Sequence, residues 1–404
     1  KRLRFLCGCV MVDSNAADVH RIGVLSENGR GTHALPCSGS LRIRGIRLYD
    51  RNPCDVFYPP GHRAIGRLRA ADKRTKKRNR RAAANIDRPT ATGMNMELSE
   101  LTKSLMKIPS TSGEEEAVGF WLRDYLESLG WTVELQPVSE NQNNVIATLN
   151  DTPRVWLSTH MDTVPPFIEP TEDDEKIYGR GACDAKGIIA AQITAVEQLR
   201  RDGIEDIGLL YTVEEERAST GAKAANLHPL AAKCEYMING EPTDNDLAIG
   251  SKGSFRLKIK TSGKAAHSAY PEMGDSAILS LLDVLDDIRQ TKFPHDDFFG
   301  ETTVNIGTLE GGLALNIIPP KAEAGLLIRL TTKREAIETA LENIVRGRAE
   351  IEVLSCSEPV KLHSVDGFTQ KVVRFTTDIP HMPNWGKPLL LGPGSILVAH
   401  TKNE

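Results

Sequence analysis

The apolar run "RVWLSTH" (154–160), the helix-length segment "AKGIIAAQITAVEQLRRDG" (185–203) and a second apolar run, "IGLLYTV" (207–213), follow one another in that order. This strand–helix–strand order restricts the fold more than any other feature. Two strands joined by a helix lie parallel in one sheet, with the helix covering a face. Upstream, Val118, Trp121, Leu122, Tyr125, Leu126 and Leu129 repeat at helical spacing. Ser112 stands three residues before Glu115, the pattern of a capping box that would start this helix. "WTVELQPV" and "NNVIATLN" read as further strands, and Gly203 closes the 185–203 helix. The expectation is an α/β protein with a mostly parallel, doubly wound sheet. Ligands bind such sheets beyond the carboxyl ends of the strands.

Near residue 250 the texture changes. "SFRLKIKTSG", "TTVNIGTLEGG" and "KAEAGLLIRLTT" read as strands, with helices over 275–290 and 333–346. That order describes an inserted α+β domain of ferredoxin-like type over 251–355. The chain then returns to the first domain at "KPLLLGPGS", so 96–250 and 356–404 form one unit.

Charge divides the chain as well. Residues 1–95 carry 20 Lys and Arg against 7 Asp and Glu, a formal +13, and the remainder carries 30 against 47, a formal −17. The leader contains "RLRAADKRTKKRNRRAAA" (67–84), a like-charge block of the kind that is disordered or binds nucleic acid. The start of the leader has an apolar stretch of only about eight residues and no clean cleavage site, too little for a signal peptide. With Met94 and Met96 just before the first good helix, the expectation is that the native protein begins there. The acidic body argues against nucleic acid as a partner. No apolar run reaches the roughly 20 residues needed to span a bilayer. Cys183, Cys234 and Cys356 are scattered through the body, a usage that fits reduced thiols in the cytoplasm.

The polar clusters fall at predicted strand ends. "STHMDTVPP" holds His160 and Asp162, "GRGACDAKG" holds Asp184, "TVEEE" holds Glu214, Glu215 and Glu216, "INGEPT" holds Glu241, and His400 stands in "GPGSILVAHTKNE". Each has a plain structural reading when taken alone: a surface His beside an Asp, a helix N-cap at Asp184, a solvated charge run. Together, two histidines and several carboxylates suit a divalent cation, which would offset carboxylates that otherwise raise one another's pKa. Asp162 could hold the second ring nitrogen of His160.

In this order the motifs resemble the M20 family of co-catalytic metallohydrolases from about residue 96 onward. "GKAAHSAYPEMGDSAI" and "GGLALNIIPPKAEAGLLIR" add to the match, and "LLGPGSILVAHTKNE" is most similar to acetylornithine deacetylases. The resemblance implies two zinc ions, or cobalt, bridged by Asp184. His160 and Glu241 would complete one site, and Glu216 and His400 the other. It further implies Glu215 as general base, Asp162 as support for His160, and the insert as a lid and dimerisation domain in a homodimer. His267 would stabilise the oxyanion, in dimeric members from the neighbouring subunit. Asn316 and Arg329 would hold the substrate, and Gly394 and Ser395 would line its pocket. Arg329 also has the alternative of a structural ion pair, and His267 that of a surface loop residue.

The implied reaction is removal of the N-acyl group from an amino acid, foremost N-acetylornithine in arginine biosynthesis. A desuccinylase acting on succinyl-diaminopimelate, or a dipeptidase or carboxypeptidase, is the alternative within the family. Nucleic-acid binding by the leader is the alternative outside it, and a non-catalytic relative that keeps the fold as a binding module is a third. Two departures from the family pattern stand out. "EEE" replaces the commoner Asp-Glu-Glu, and "RASTGA" follows it in place of Gly-Ser. The short sequence after His400 leads to the further expectation of a truncated C-terminus, with His400 poorly anchored.

Overall fold

The computed structural model describes residues 96–404. The calls on residues 1–95, their disorder, non-native origin and nucleic-acid binding, fall outside the described residues. Two helices open the described chain, α1 (Leu98–Met106) and α2 (Glu116–Ser128). Of the six apolar residues that the periodicity selects, the five within α2, from Val118 to Leu126, are buried, and Leu129 is its C-cap. β1 (Thr132–Ser139) and β2 (Gln142–Thr148) form a hairpin, and β3 (Val155–His160) follows. A small ribbon, β4 (Thr171–Glu172) with β5 (Ile177–Tyr178), leads into α3 (Lys186–Arg201). Then come β6 (Ile207–Thr212), α4 (Thr220–Ala225), β7 (Tyr236–Asn239) and β8 (Leu247–Ser251).

The insert runs through β9 (Gly253–Ser262), α5 (Ala277–Gln290), a ribbon of β10 (His295–Asp296) and β11 (Gly300–Glu301), β12 (Thr303–Gly311), β13 (Lys321–Leu330), α6 (Arg334–Val345) and β14 (Glu350–Ser357). Its four long strands pair antiparallel in the order β12–β13–β9–β14, which with the two helices is the ferredoxin-like arrangement. Phe255, Leu257 and Ile259 on alternate positions of β9 pack with Leu281, Leu285 and Leu341 from the helices into a core of its own. The chain then returns through β15 (Val360–Lys361), β16 (Gln370–Val373) and β17 (Lys387–Leu390).

The large sheet has the order β1–β2–β6–β3–β7–β17–β8–β15, with β16 also on β8. Its centre is parallel: β6, β3, β7 and β17 run the same way. β1, β2, β8 and β15 add antiparallel flanks, so the sheet is mixed where the sequence had led us to expect it mostly parallel. Antiparallel neighbours need no helical crossover, and only two residues separate β1 from β2. β3 and β6 are buried along their whole length, as strands covered on both faces must be. One face packs on α1, α2 and α3. On the other, Trp156 and Trp385 meet edge to face with centroids 4.8 Å apart.

The register sets up the site. His160 is level with Thr212, and Ser158 with Asn239, which is also level with Leu390. Four parallel strands therefore end at one edge of the sheet, and the loops after them carry the polar residues.

Candidate metal centre

β3 ends at His160, a residue 1 % exposed. Its Nδ1 lies 2.9 Å from the Asp162 carbonyl oxygen and 3.3 Å from Asp162 Oδ1. Both are acceptors, so Nδ1 carries the proton and Nε2 is the atom turned to the centre. There Nε2 stands 2.9 Å from Asp184 Oδ1. The other oxygen of Asp184, Oδ2, is 3.2 Å from His400 Nε2, which is 2.7 Å from Glu216 Oε1. Donor atoms of His160, Asp184 and Glu216 lie within 4.8 Å of one another.

Burial works against the Asp184 charge, yet hydrogen bonds from His160 and His400 hold its carboxyl below the usual range. The carboxylates of Asp184 and Glu216 push His400 up to about 10.

Glu241 follows β7 and is 4 % exposed, and its Oε1 has no hydrogen-bond partner among the described residues. An unpaired buried carboxylate oxygen is costly, and a cation is the partner this donor set offers it. The donor set of His160, Asp184 and Glu216 fits a divalent ion. Burial, followed by the charge of Glu241, drives Glu215 well above the ordinary carboxylate range.

Local structure explains how three adjacent glutamates take separate roles. β6 stops at Thr212, and Glu214 has φ +60° and opens a turn. The triplet therefore lies in a turn beyond the strand. Four consecutive backbone N–H groups donate to side-chain oxygens: Val213 to Asn144 Oδ1 (3.2 Å), Glu214 to Glu115 Oε1 (3.1 Å), Glu215 to Asp162 Oδ1 (3.0 Å) and Glu216 to Asp162 Oδ2 (3.2 Å). Glu214 turns away to accept from Thr220 Oγ1 at 2.6 Å. "RASTGA" supplies that threonine and also Gly221, where a Cβ would stand 2.5 Å from the Val213 backbone.

The capping box is not formed. α2 starts at Glu116 without a side-chain cap, Ser112 Oγ donates to Asp162 Oδ2 at 2.6 Å, and Glu115 serves the glutamate turn. Nor is Asp184 an N-cap, since no side chain caps α3.

The structure does not gather every expected site residue. His267 is exposed on the insert, where Nδ1 accepts from the Ala269 N–H at 3.1 Å, and Asn316 is exposed. Among the described residues neither side chain is bonded to the acidic cluster. Arg329 is half-buried with Nη1 donating to Thr376 Oγ1 at 3.0 Å, and it has no carboxylate partner among the described residues. Gly394, at φ +83°, lies where a Cβ would meet Cys183 Sγ at 2.4 Å, and Ser395 takes the Cys183 thiol on its carbonyl. Both abut the Asp184 loop.

His400, expected to be loosely held, has its N–H bonded to Glu404 Oε2 at 3.1 Å. Glu115, Asp378 and Glu404 are functional neighbours that sequence reasoning missed. Asp378, 1 % exposed, accepts from Thr212 Oγ1 at 2.7 Å, and burial pushes it up to about 6. Nothing in "TTDIP" announces it. Glu404 had a signal in its place four residues after His400.

The family profile described as the peptidase dimerisation domain matches residues 249–352. A peptidase M20 domain-containing protein of Schizosaccharomyces pombe is 42 % identical over 76 % of this chain and 79 % of its own length. A probable carboxypeptidase of Aspergillus terreus is 36 % identical over 75 % and 80 %. Among solved structures, a tripeptidase from Staphylococcus aureus is similar with a TM-score of 0.62 at 22 % identity, covering 76 % of this chain and 92 % of that one.

Proposed function

The chain belongs to the M20 peptidase family and is a hydrolase of amide or peptide bonds, and we propose that it cleaves the amide of a small N-acyl amino acid or short peptide at a two-metal centre. The observation that carries this reading is the convergence of His160, Asp184 and Glu216 within 4.8 Å, with the buried carboxylate of Glu241 in electrostatic reach of His160 and Asp184 and one of its oxygens unpartnered among the described residues. One ion would take His160, Asp184 and Glu241, and the other Glu216, His400 and the shared Asp184. Zinc, or cobalt in its place, would supply a Lewis acid for the scissile carbonyl and a lowered pKa for the attacking water.

The protein's own groups do the rest. Glu215 accepts the proton of the attacking water and returns it to the leaving amine, so the C–N bond breaks with the amine neutral. Asp162 fixes the tautomer of His160 and pins the amides of Glu215 and Glu216. Arg329 takes the free carboxylate of the substrate, and Asn316 holds the substrate's backbone. His267 donates to the oxyanion from a second copy of the chain, a contact worth roughly 3 kcal/mol in comparable sites. Gly394 and Ser395 close the pocket wall against the Asp184 loop.

Two readings of the acyl half have support. The terminal "LLGPGSILVAHTKNE" favours an acetyl group, as in N-acetylornithine, and with it a place in arginine biosynthesis. The similarity to a probable carboxypeptidase favours an aminoacyl group. Three free thiols, Cys183, Cys234 and Cys356, support a cytoplasmic setting. No helix among the described residues is long and apolar enough to cross a membrane.

The test is turnover by zinc-loaded full-length chain of N-acetylornithine, N-succinyl-diaminopimelate and a dipeptide panel. Preference for N-acetylornithine supports deacetylation, preference for dipeptides replaces it with peptidase action, and no turnover of any of them sinks both. On the preferred substrate Glu215→Gln should cut kcat by about 10²–10⁴-fold with metal content unchanged. Glu216→Gln should weaken metal binding, and Glu214→Gln should do the least. A Glu215→Gln enzyme with normal turnover would remove it as the base.

A further inference from the structure

Asp184 and His400 reach the centre from loops far apart in sequence, and one buried side chain ties both loops together. Glu404 is 3 % exposed. Its Oε1 accepts from the Gly181 N–H at 2.9 Å and from the Asp184 N–H at 3.1 Å. Its Oε2 accepts from the His400 N–H at 3.1 Å and pairs with Arg180, itself 3 % exposed. The Glu404 carbonyl oxygen takes the Gly179 N–H at 2.7 Å. A single carboxylate thus receives four donors, and two of them are the backbone amides of the residues whose side chains meet 3.2 Å apart.

We propose that Glu404 is a positioning residue that sets the Asp184–His400 geometry and so the affinity of the ion these two share, an inference resting on the two-metal reading above. The physical reason is the donor pattern. Oε1 is committed to the Asp184 loop and Oε2 to the His400 loop, so no acceptor with a single oxygen can hold both. Arg180 compensates the buried charge, which allows the carboxylate to remain ionised with acceptor oxygens only. Groups that orient metal ligands commonly change metal affinity by about 10–100-fold when removed.

The experiment is titration of metal-free full-length chain with Zn²⁺ against a chromophoric chelator, repeated with Co²⁺ to read the visible absorption of the bound ion. Glu404→Gln presents an amide NH₂ where an oxygen accepted. It should weaken the ion held by Glu216 and His400 by about 10–100-fold, affect the ion held by His160 and Glu241 less, and alter the Co²⁺ bands. Because that variant leaves Arg180 buried and unpaired, Glu404→Gln/Arg180→Met is measured beside it. The double variant carries no orphan charge, and it should fold and still show the weakened second ion. Wild-type affinities and bands in the double variant, even with a lower Tm, would reduce Glu404 to a structural staple and overturn the assignment. Wild-type protein that takes up no second ion overturns the two-metal reading itself, a failure seen before any variant is compared.

Discussion

Glu115 is 1 % exposed, has no ion-pair partner among the described residues, and accepts from Gly113 N–H (3.0 Å), Gln142 Nε2 (3.1 Å) and Glu214 N–H (3.1 Å). Burial, and next the charge of Asp162, push its carboxyl up to about 7 from the model-compound value of 4.5. The folded state then binds more protons than the unfolded state between those two pH values. Glu115 therefore contributes stability at acid pH that is lost as pH rises from about 4.5 to about 7. In denaturant titrations of metal-free protein, Glu115→Gln should gain stability relative to wild type by up to about 3 kcal/mol across that window. A difference that does not change with pH would show that Glu115 is not titrating there. The residue was visible in "TSGEEEAVGF" as a capping-box partner, a rule that uses sequence distance alone. The helix starts at Glu116, three residues later than that box would set it, and a longer-range acceptor role replaces the local one.

At the scale of elements, the glutamate turn owes its shape to β2, β3 and α2, which deliver Asn144, Asp162 and Glu115 to four successive amides. Strand and helix ranges were legible in the sequence because apolar spacing reports burial directly. The end of β6 was not, since "LLYTVEEE" carries no Gly or Pro to mark where the strand gives way. α5 raises a different matter. Ser276 caps it, Leu281, Val284, Leu285 and Ile288 face the insert core, and Leu279 and Leu282 remain 63 % and 46 % exposed. Beside α5 runs β12, an edge strand with Leu309 also exposed. An apolar helix face next to an unpaired strand edge is suited to a second copy of the same domain. In the proposed homodimer, Leu279→Glu/Leu282→Glu should give monomer in light scattering and, with His267 proposed to act across the interface, lower kcat. A monomeric wild type would exclude this arrangement.

On the scale of the whole molecule, the insert contributes Arg329 from β13. Burial, and then its neighbour Arg256, lower the pKa of its guanidinium, while Glu215 favours its charge. A half-buried cation whose one bonded side chain is a threonine hydroxyl has capacity for an anionic ligand. Arg329→Ala should raise KM by about tenfold or more on any substrate with a free carboxylate, at little change in metal content, and an unchanged KM would place the carboxylate elsewhere. What the sequence determined by itself was the set of elements, the division into a sheet domain and an inserted α+β domain, and the chemical types gathered at strand ends. Those follow from hydrophobic period and residue chemistry, which are local. Only the tertiary structure decided that the sheet is mixed, with antiparallel pairs flanking a parallel centre, that Glu241 is buried with one oxygen unpartnered among the described residues, and that Glu115, Asp378 and Glu404 stand behind the site. Those depend on strand register and on contacts between residues up to 224 positions apart, such as Arg180 with Glu404, and no periodicity along the chain encodes a pairing at that distance.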